Sequence, residues 1–177
     1  MRKKLQSTLL LAVLTITIFS CKKSDEKPSN HFTYDSKSYA IKSGITDLDT
    51  ESTPSTADNS PVYFHDLYLM TSGLTTSGGD VTGKGSVVSL TLSSATSTID
   101  AGTYIFNGDE DVEVAGKMKG LVLINYNSSD NSGNRYEFTA GTAIVTKTGD
   151  VYTVDVTATA NNSQVVAHFS GTVSPLN

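Results

Sequence analysis

One ten-residue run near the C-terminus constrains the fold most. In Val151–Ala160, "VYTVDVTATA", apolar and small side chains alternate with polar ones. Alternation with period two is typical of an antiparallel strand with one face buried and the other in water. Thr153 and Asp155 are predicted to face solvent. The side chains predicted to face the core are Tyr152, Val154, Val156, Ala158 and Ala160.

The runs on either side extend this strand into a hairpin series. Thr142–Thr148 precedes it across a turn at Gly149 and Asp150, and Gln164–Val173 follows it after Asn161–Ser163. Turns of two or three residues join antiparallel neighbours. A C-terminal three-stranded meander is therefore predicted. Its last strand has the inward positions Val165, Ala167, Phe169 and Val173.

Short runs of the same kind recur from His31 onward, and no segment shows the apolar spacing of a helix. About ten short strands in one domain, residues 31–177, predict an all-β fold, an antiparallel β-sandwich or β-barrel. Both architectures present one apolar face per strand, so both stay open. The earlier strands are predicted at Phe32–Asp35, Tyr39–Thr46, Pro61–Ser72, Ser86–Ser93, Gly102–Phe106, Gly120–Tyr126 and Arg135–Ala140. Long polar loops are predicted at Asp47–Ser60, Gly73–Gly85 and Asn127–Asn134.

The first twenty residues have a different character. Arg2, Lys3 and Lys4 give a basic start, and the run Leu9–Phe19 is almost wholly apolar. This order predicts a signal peptide over residues 1–20 that is removed on export. The apolar run is shorter than the roughly 20 residues that a membrane-spanning helix needs. An uncleaved N-terminal anchor helix is the alternative.

The chain contains one cysteine, Cys21, so the domain cannot hold an internal disulfide. The segment Ile18–Cys21 resembles the lipobox of bacterial lipoproteins. That resemblance implies that Cys21 is acylated and becomes the first residue of the mature chain. Two or three acyl chains would make the anchoring effectively permanent. Residues 21–30 are then the lipidated cysteine and a flexible, charged tether.

The residues after Cys21 bear on location. Lys22 follows the cysteine, and "KKSDE" resembles the charged tracts of surface-exported lipoproteins in Bacteroidetes-type bacteria. This implies an outer-membrane anchor with the domain at the cell surface; the periplasmic face is the alternative. The hairpin "FTYDSKSY", the strand "GTY" and the closing "GTV" are similar to small uncharacterised all-β lipoproteins of the same bacteria. The second resemblance implies a fold and no activity.

The charge balance argues against nucleic acid as a partner. The chain has 13 Lys and Arg against 18 Asp and Glu, a formal net charge of −5. Binding DNA or RNA depends on Lys and Arg that neutralise phosphates. The expected partners are the membrane, through the lipid anchor, and a glycan or another envelope protein.

The sequence shows no catalytic constellation, so neither an enzyme nor a cofactor is expected. His31, His65 and His168 lack the spacing of a zinc site, and no G-x-S-x-G elbow is present. We expect His65 and His168 on the polar faces of strands. One calcium candidate is present, an acidic segment in which oxygen ligands alternate. Its members are Asn107, Asp109, Asp111 and Glu113.

The leading hypothesis is a non-enzymatic, lipid-anchored surface domain that binds a ligand or partner, with carbohydrate as the favoured ligand class. Eight tyrosines supply apolar ring faces with a polar tip, and one or two exposed near Asp47–Ser60 are expected to form a sugar-stacking platform. A structural or assembly subunit of the envelope, acting through edge-strand pairing, is the first alternative. A lipocalin-like carrier of a small apolar molecule is the second.

Overall fold

The computed structural model describes residues 29–109 and 113–176, and for residues 48–51 the backbone alone. The predicted signal peptide (1–20), Cys21 and the tether up to Pro28 lie outside the described residues, so these stay predictions. Within the described part of the chain, no helix has the length and apolar character needed to cross a membrane.

The described residues confirm the all-β prediction. Their regular structure consists of ten strands without a helix. The strands are β1 (His31–Tyr34), β2 (Lys37–Pro54), β3 (Pro61–Thr71), β4 (Leu74–Ser77), β5 (Asp80–Ser94), β6 (Gly102–Phe106), β7 (Lys117–Asn127), β8 (Ser132–Thr148), β9 (Val151–Ala160) and β10 (Ser163–Pro175).

The strand pairing closes into a ring. Strands β2, β3, β5, β7, β8, β9 and β10 each pair antiparallel with the next one in this series. Because the series has an odd number of strands, its first and last strands, β2 and β10, run in the same direction where they meet. Accordingly, Val173–Pro175 of β10 pairs parallel with Gly44–Thr46 of β2. This ring-like bonding is that of a sandwich or barrel-like fold.

The remaining three strands fill gaps or extend the ring. β1 lies between β2 and β10 and is antiparallel to both. β6 lies between β7 and β8, antiparallel to β8 and parallel to β7. Among the described strands, β4 pairs with β5 alone. The ring therefore has few unpaired strand edges in the part of the chain described here.

The C-terminal meander is confirmed. Val154 of β9 lies opposite Val145 of β8 on one side and Phe169 of β10 on the other. All three side chains are buried. Asn161 and Asn162 form the tight β9–β10 turn with φ angles of 46° and 61°. Asparagine is among the residues that tolerate this left-handed conformation, which suits a two-residue hairpin turn.

Strand structure replaces most of the predicted loops. β2 continues to Pro54, β4 and the first residues of β5 occupy most of Gly73–Gly85, and the third predicted loop shrinks to residues 128–131. The error has a physical cause. Ser, Thr and Asp in these segments mark exposure to water, and a polar segment still forms a strand when a neighbour pairs with its backbone.

The predicted strands Arg135–Ala140 and Thr142–Thr148 are one strand, β8. Its first half pairs with β7 and its second half with β6. A register irregularity against β9 falls between Phe138 and Ala140, and Gly141 follows at φ 151°. The glycine therefore marks the place where β8 changes partner, whereas the sequence alone indicated a strand end.

A single large core fills the inside of the ring and draws side chains from nearly every strand. His65 also lies inward on β3, fully buried, so its prediction on a polar face is wrong. Its Nε2 lies 3.2 Å from the carbonyl oxygen of Thr96, and its Nδ1 has no hydrogen-bond partner among the described residues. The largest fully buried side chains of this core are Phe32, Leu67, Leu69, Leu90, Leu92 and Met118.

Candidate functional site

A second apolar cluster lies on the outer face of the sheet. Met70 follows the core residue Leu69 on β3, and Val87 precedes the core residue Val88 on β5. Successive strand residues point to opposite faces, so this part of the sheet is apolar on both. The outer cluster consists of Ile45, Met70, Leu74 and Val87, with Tyr68, Val81, Leu123, Tyr126 and Leu176 packed against it.

A groove of about 600 Å³ opens beside this cluster. Strand register lines up its floor in rows across β3, β5 and β7. One row is Tyr68, Ser89 and Leu121. The next row of side chains, on the side of the β4–β5 hairpin, ends in Leu123 of β7. We call this cavity the outer groove.

The walls of the outer groove come from local turns. The β4–β5 hairpin forms one wall through Gly79 and Val81, and the turn before β8 forms another through Asn131. Gly78 and Gly79 have φ angles of 62° and 84°, which glycine adopts without strain. Leu176 forms the third wall.

Two main-chain hydrogen bonds hold these walls in place. The amide of Lys84 donates to the carbonyl of Gly73 at 2.9 Å, closing the base of the hairpin. A Cβ on Gly83 would lie 2.1 Å from the same carbonyl oxygen, so only glycine fits there. The amide of Leu176 donates to the carbonyl of Thr46 at 2.8 Å.

Asp66 is the principal polar group of the outer groove. Thr91 Oγ1 donates a hydrogen bond to its Oδ1 at 2.6 Å, and the Tyr68 hydroxyl donates to its Oδ2 at 3.2 Å. A carboxylate accepts about four hydrogen bonds, so lone pairs remain for a ligand. Burial, and then the negative charge of Asp66, raise the pKa of Tyr68 to about 12. Tyr68 therefore remains a neutral hydrogen-bond donor at physiological pH.

The cationic group of the outer groove is Arg135 on β8. Its Nη2 lies 3.1 Å from Glu137 Oε1, with 62% and 71% of the two side chains exposed. An exposed pair of this kind contributes about 0–1 kcal/mol, so the guanidinium is readily available to a ligand. Arg135 also lines an adjoining cleft of about 390 Å³, which shares Ser89, Thr91 and Leu121 with the groove.

This arrangement suits an extended amphipathic ligand. The groove volume is within the range of about 300–1,000 Å³ that ligand pockets occupy. Leucine and tyrosine side chains supply an apolar floor, and two carboxylates (Asp66 and Asp80), hydroxyls and a guanidinium supply hydrogen bonds. Among the described residues that line the groove, none is a histidine or a cysteine. The shared residues connect it to the cleft toward Phe106 and Lys119.

The described members of the calcium candidate do not line the outer groove itself, but Asn107 lines the adjoining cleft together with Thr91. The side chain of Asn107 bonds the backbone of Asp109, accepting from its amide at 3.1 Å and donating to its carbonyl at 2.8 Å. The carbonyl of Glu113 accepts from the Thr56 amide at 2.9 Å. Asp111 lies outside the described residues. Within 29–109 and 113–176, no group of three or more His, Cys, Asp or Glu is placed to hold a metal, and the calcium site stays a prediction.

The structure places some of the tyrosines in the core and two at the outer groove. Tyr34 and Tyr104 are buried, and Tyr39 stacks on Phe32 with ring centroids 4.7 Å apart. Tyr68 reaches the outer groove from β3, next to β2, and Tyr126 lines it from the end of β7. Sequence reasoning did not single out Tyr126.

A signal for the groove was nevertheless present in β7. Leu121 and Leu123 occupy the outward phase of that strand, where a half-buried strand normally carries polar side chains. Such outward leucines indicate a second apolar surface.

Comparison with protein-family models gave no match, and comparisons with curated proteins and with solved structures gave none either. The functional inference therefore depends on the geometry of this chain.

Proposed function

We propose that the domain binds a carbohydrate chain in the outer groove without catalysis, while an acylated Cys21 holds it at the surface of the outer membrane. One observation carries the binding proposal. The carboxylate of Asp66, oriented by Thr91 and Tyr68, stands at the side of an apolar floor. A sugar presents hydroxyl groups around weakly apolar C–H faces, and this pairing of acceptor and floor complements both.

The hydrogen-bonding groups divide into acceptors and donors. Asp66 accepts from sugar hydroxyls, and Arg135 donates to hydroxyl, ring or carboxylate oxygens. Ser89 does either, because a hydroxyl both donates and accepts. A site built to hydrogen-bond a hydroxyl rejects analogues that lack it, because its polar groups are then left unpaired. Selectivity among sugars is therefore expected to come from Asp66 and its neighbours.

The length of the site favours a chain over a single sugar. The outer groove and the adjoining cleft share four lining residues and together extend across β3, β5, β7 and β8. Several consecutive sugar units would cross Arg135 and reach Lys119 and Phe106.

The two alternatives have less geometric support. Edge-strand pairing would use β4, which pairs on one side only but is four residues long. A lipocalin-like carrier needs space inside the ring, where the core side chains are packed. The experiment below can still favour either alternative.

Affinity electrophoresis tests the proposal. The full chain, purified in a non-ionic detergent, is run through native gels that contain neutral or acidic soluble polysaccharides. We expect retardation by at least one polysaccharide and its loss in Leu121→Asp, which places a charge on the groove floor. Ile144→Asp is the matched control, since Ile144 is 48% exposed on β8 and does not line the groove. Mobility unchanged by every polysaccharide would refute the proposal, and concentration-dependent light scattering would then favour the assembly subunit.

A further inference from the structure

His31 and His168 lie directly opposite one another on neighbouring strands. Their Cα atoms are partners in the antiparallel register of β1 and β10. The next pair in that register, Phe32 and Ala167, is buried in the core. Because successive residues face opposite ways, both histidines point to the outer face. Cross-strand partners of this kind have Cβ atoms about 4.5–5.5 Å apart, so the two imidazoles are neighbours.

Each imidazole has its Nδ1 held by an oxygen. Nδ1 of His168 lies 2.6 Å from Asp155 Oδ1, and Nδ1 of His31 lies 2.5 Å from the carbonyl oxygen of Ser29. A carboxylate and a carbonyl oxygen only accept hydrogen bonds. Nδ1 must therefore carry the proton in both rings. In the neutral imidazole, Nε2 then keeps its lone pair, the form in which histidine binds metals.

We propose that His31 and His168 form a two-histidine site for a divalent transition-metal ion, with Nε2 of each ring as a ligand and water completing the coordination. Imidazole nitrogen suits zinc, copper and nickel, whereas calcium and magnesium prefer oxygen. Asp155 has the position of the outer carboxylate that commonly orients a metal-bound histidine. The side chain of His168 is 16% exposed and that of Asp155 is 54% exposed, and His31 is half-buried, so both histidines are in partial contact with solvent.

The site is distinct from the calcium candidate and from the outer groove, and the proposal does not depend on carbohydrate binding. The site has two protein ligands. It is therefore compatible with the finding that the described residues contain no cluster of three or more His, Cys, Asp or Glu placed to hold a metal. Its position gives it a structural consequence. An ion bridging β1 to β10 would fasten the four-residue strand that fills the gap between β2 and β10.

Isothermal titration of the full chain in detergent with Zn²⁺ tests the site. We expect one ion per chain in the native protein and at least a tenfold loss of affinity in His31→Ala and in His168→Ala. Asp155→Asn keeps both ligands and is expected to weaken binding about tenfold through the orientation of His168. Thr33→Ala, the next outward position on β1, is the control and should bind as the native chain does. Ca²⁺ should not compete.

Thermal unfolding supplies a second measurement, because an ion that binds the folded chain raises its melting temperature. Zn²⁺ should raise the melting temperature of the native chain and of Thr33→Ala, but of neither histidine variant. Melting without metal shows whether each variant folds, and His31→Gln and His168→Gln replace any alanine variant that does not. Absence of Zn²⁺ binding by the native chain would overturn the proposal. Equal affinity for Zn²⁺ in the native chain and in both histidine variants would also overturn it, because this result would mean that the ion binds adventitiously elsewhere on the chain.

Discussion

Thr91 Oγ1 donates a 2.6 Å hydrogen bond to Asp66 Oδ1 across the β3–β5 pair, in which the two residues are direct cross-strand partners. The bond orients a carboxylate at the outer face of the sheet and leaves lone pairs for a ligand. Neither residue is notable in the sequence. Together they add an oriented polar group to a groove whose floor is largely apolar.

Asp66→Asn should weaken polysaccharide binding about tenfold or more. The amide keeps the shape of the side chain and an acceptor for Thr91, but it removes the charge that strengthens hydrogen bonds from sugar hydroxyls. Retardation measured at several polysaccharide concentrations gives the dissociation constants. Asp155→Asn is the matched control, because Asp155 lies on β9 and does not line the groove. Equal losses in both variants would show that the effect is not local to the groove.

Stability should fall as the pH rises from about 10 to about 12, and part of this loss should disappear in Tyr68→Phe. Burial and the charge of Asp66 raise the pKa of Tyr68 to about 12 in the folded chain, above its ordinary value of 10.0. In this window the unfolded chain loses the phenolic proton first. The unfolded state then binds fewer protons than the folded state, so stability decreases with rising pH.

Urea unfolding at a series of alkaline pH values measures this difference. Burial also raises the pKa of Tyr34 and Tyr104, so a residual decline is expected in Tyr68→Phe. Identical slopes for Tyr68→Phe and the native chain would contradict the prediction.

Gly141→Ala should destabilise the chain by about 1–3 kcal/mol more than Gly102→Ala, the usual cost of overpacking. The two glycines have similar φ angles, 151° and 158°. A Cβ on Gly141 would lie 2.6 Å from the carbonyl oxygen of Thr157 and 2.7 Å from Cβ of Ala158, whereas one on Gly102 meets nothing within 4 Å in the part of the chain that the structure describes. The comparison therefore isolates the close approach of β8 and β9 from backbone conformation. Urea unfolding measures it, and equal losses would contradict it.

Cys21→Ala should abolish incorporation of a palmitate analogue during growth. Cys21 is the chain's one cysteine, and thioether and amide acylation of a lipoprotein both require it at the mature N-terminus. Labelling of the native chain and of Cys21→Ala, followed by gel fluorescence, checks this, and a Ser20→Ala variant controls for changes near the cleavage site. Unchanged labelling in Cys21→Ala would refute the lipid anchor.

The faces of individual strands followed from the sequence because side-chain alternation is a local property. In β9 and β10 the residues predicted inward are buried or packed against the core. In β5 the buried residues Val88, Leu90 and Leu92 also follow this period-two alternation. Strand ends were less predictable. A polar segment such as residues 47–54 forms a strand through pairing with β3, and that pairing is a long-range contact.

The sequence by itself determined the all-β class, the C-terminal meander and the inward faces of β9 and β10, because period-two patterns and short turns act over a few residues. The tertiary structure decided which polar groups meet. Asp66 and Thr91 are 25 residues apart, and His31 and His168 are opposed where the N-terminal strand meets the C-terminal one. Both relationships depend on register and ring closure, which the pairing of distant strands sets and a local pattern does not encode.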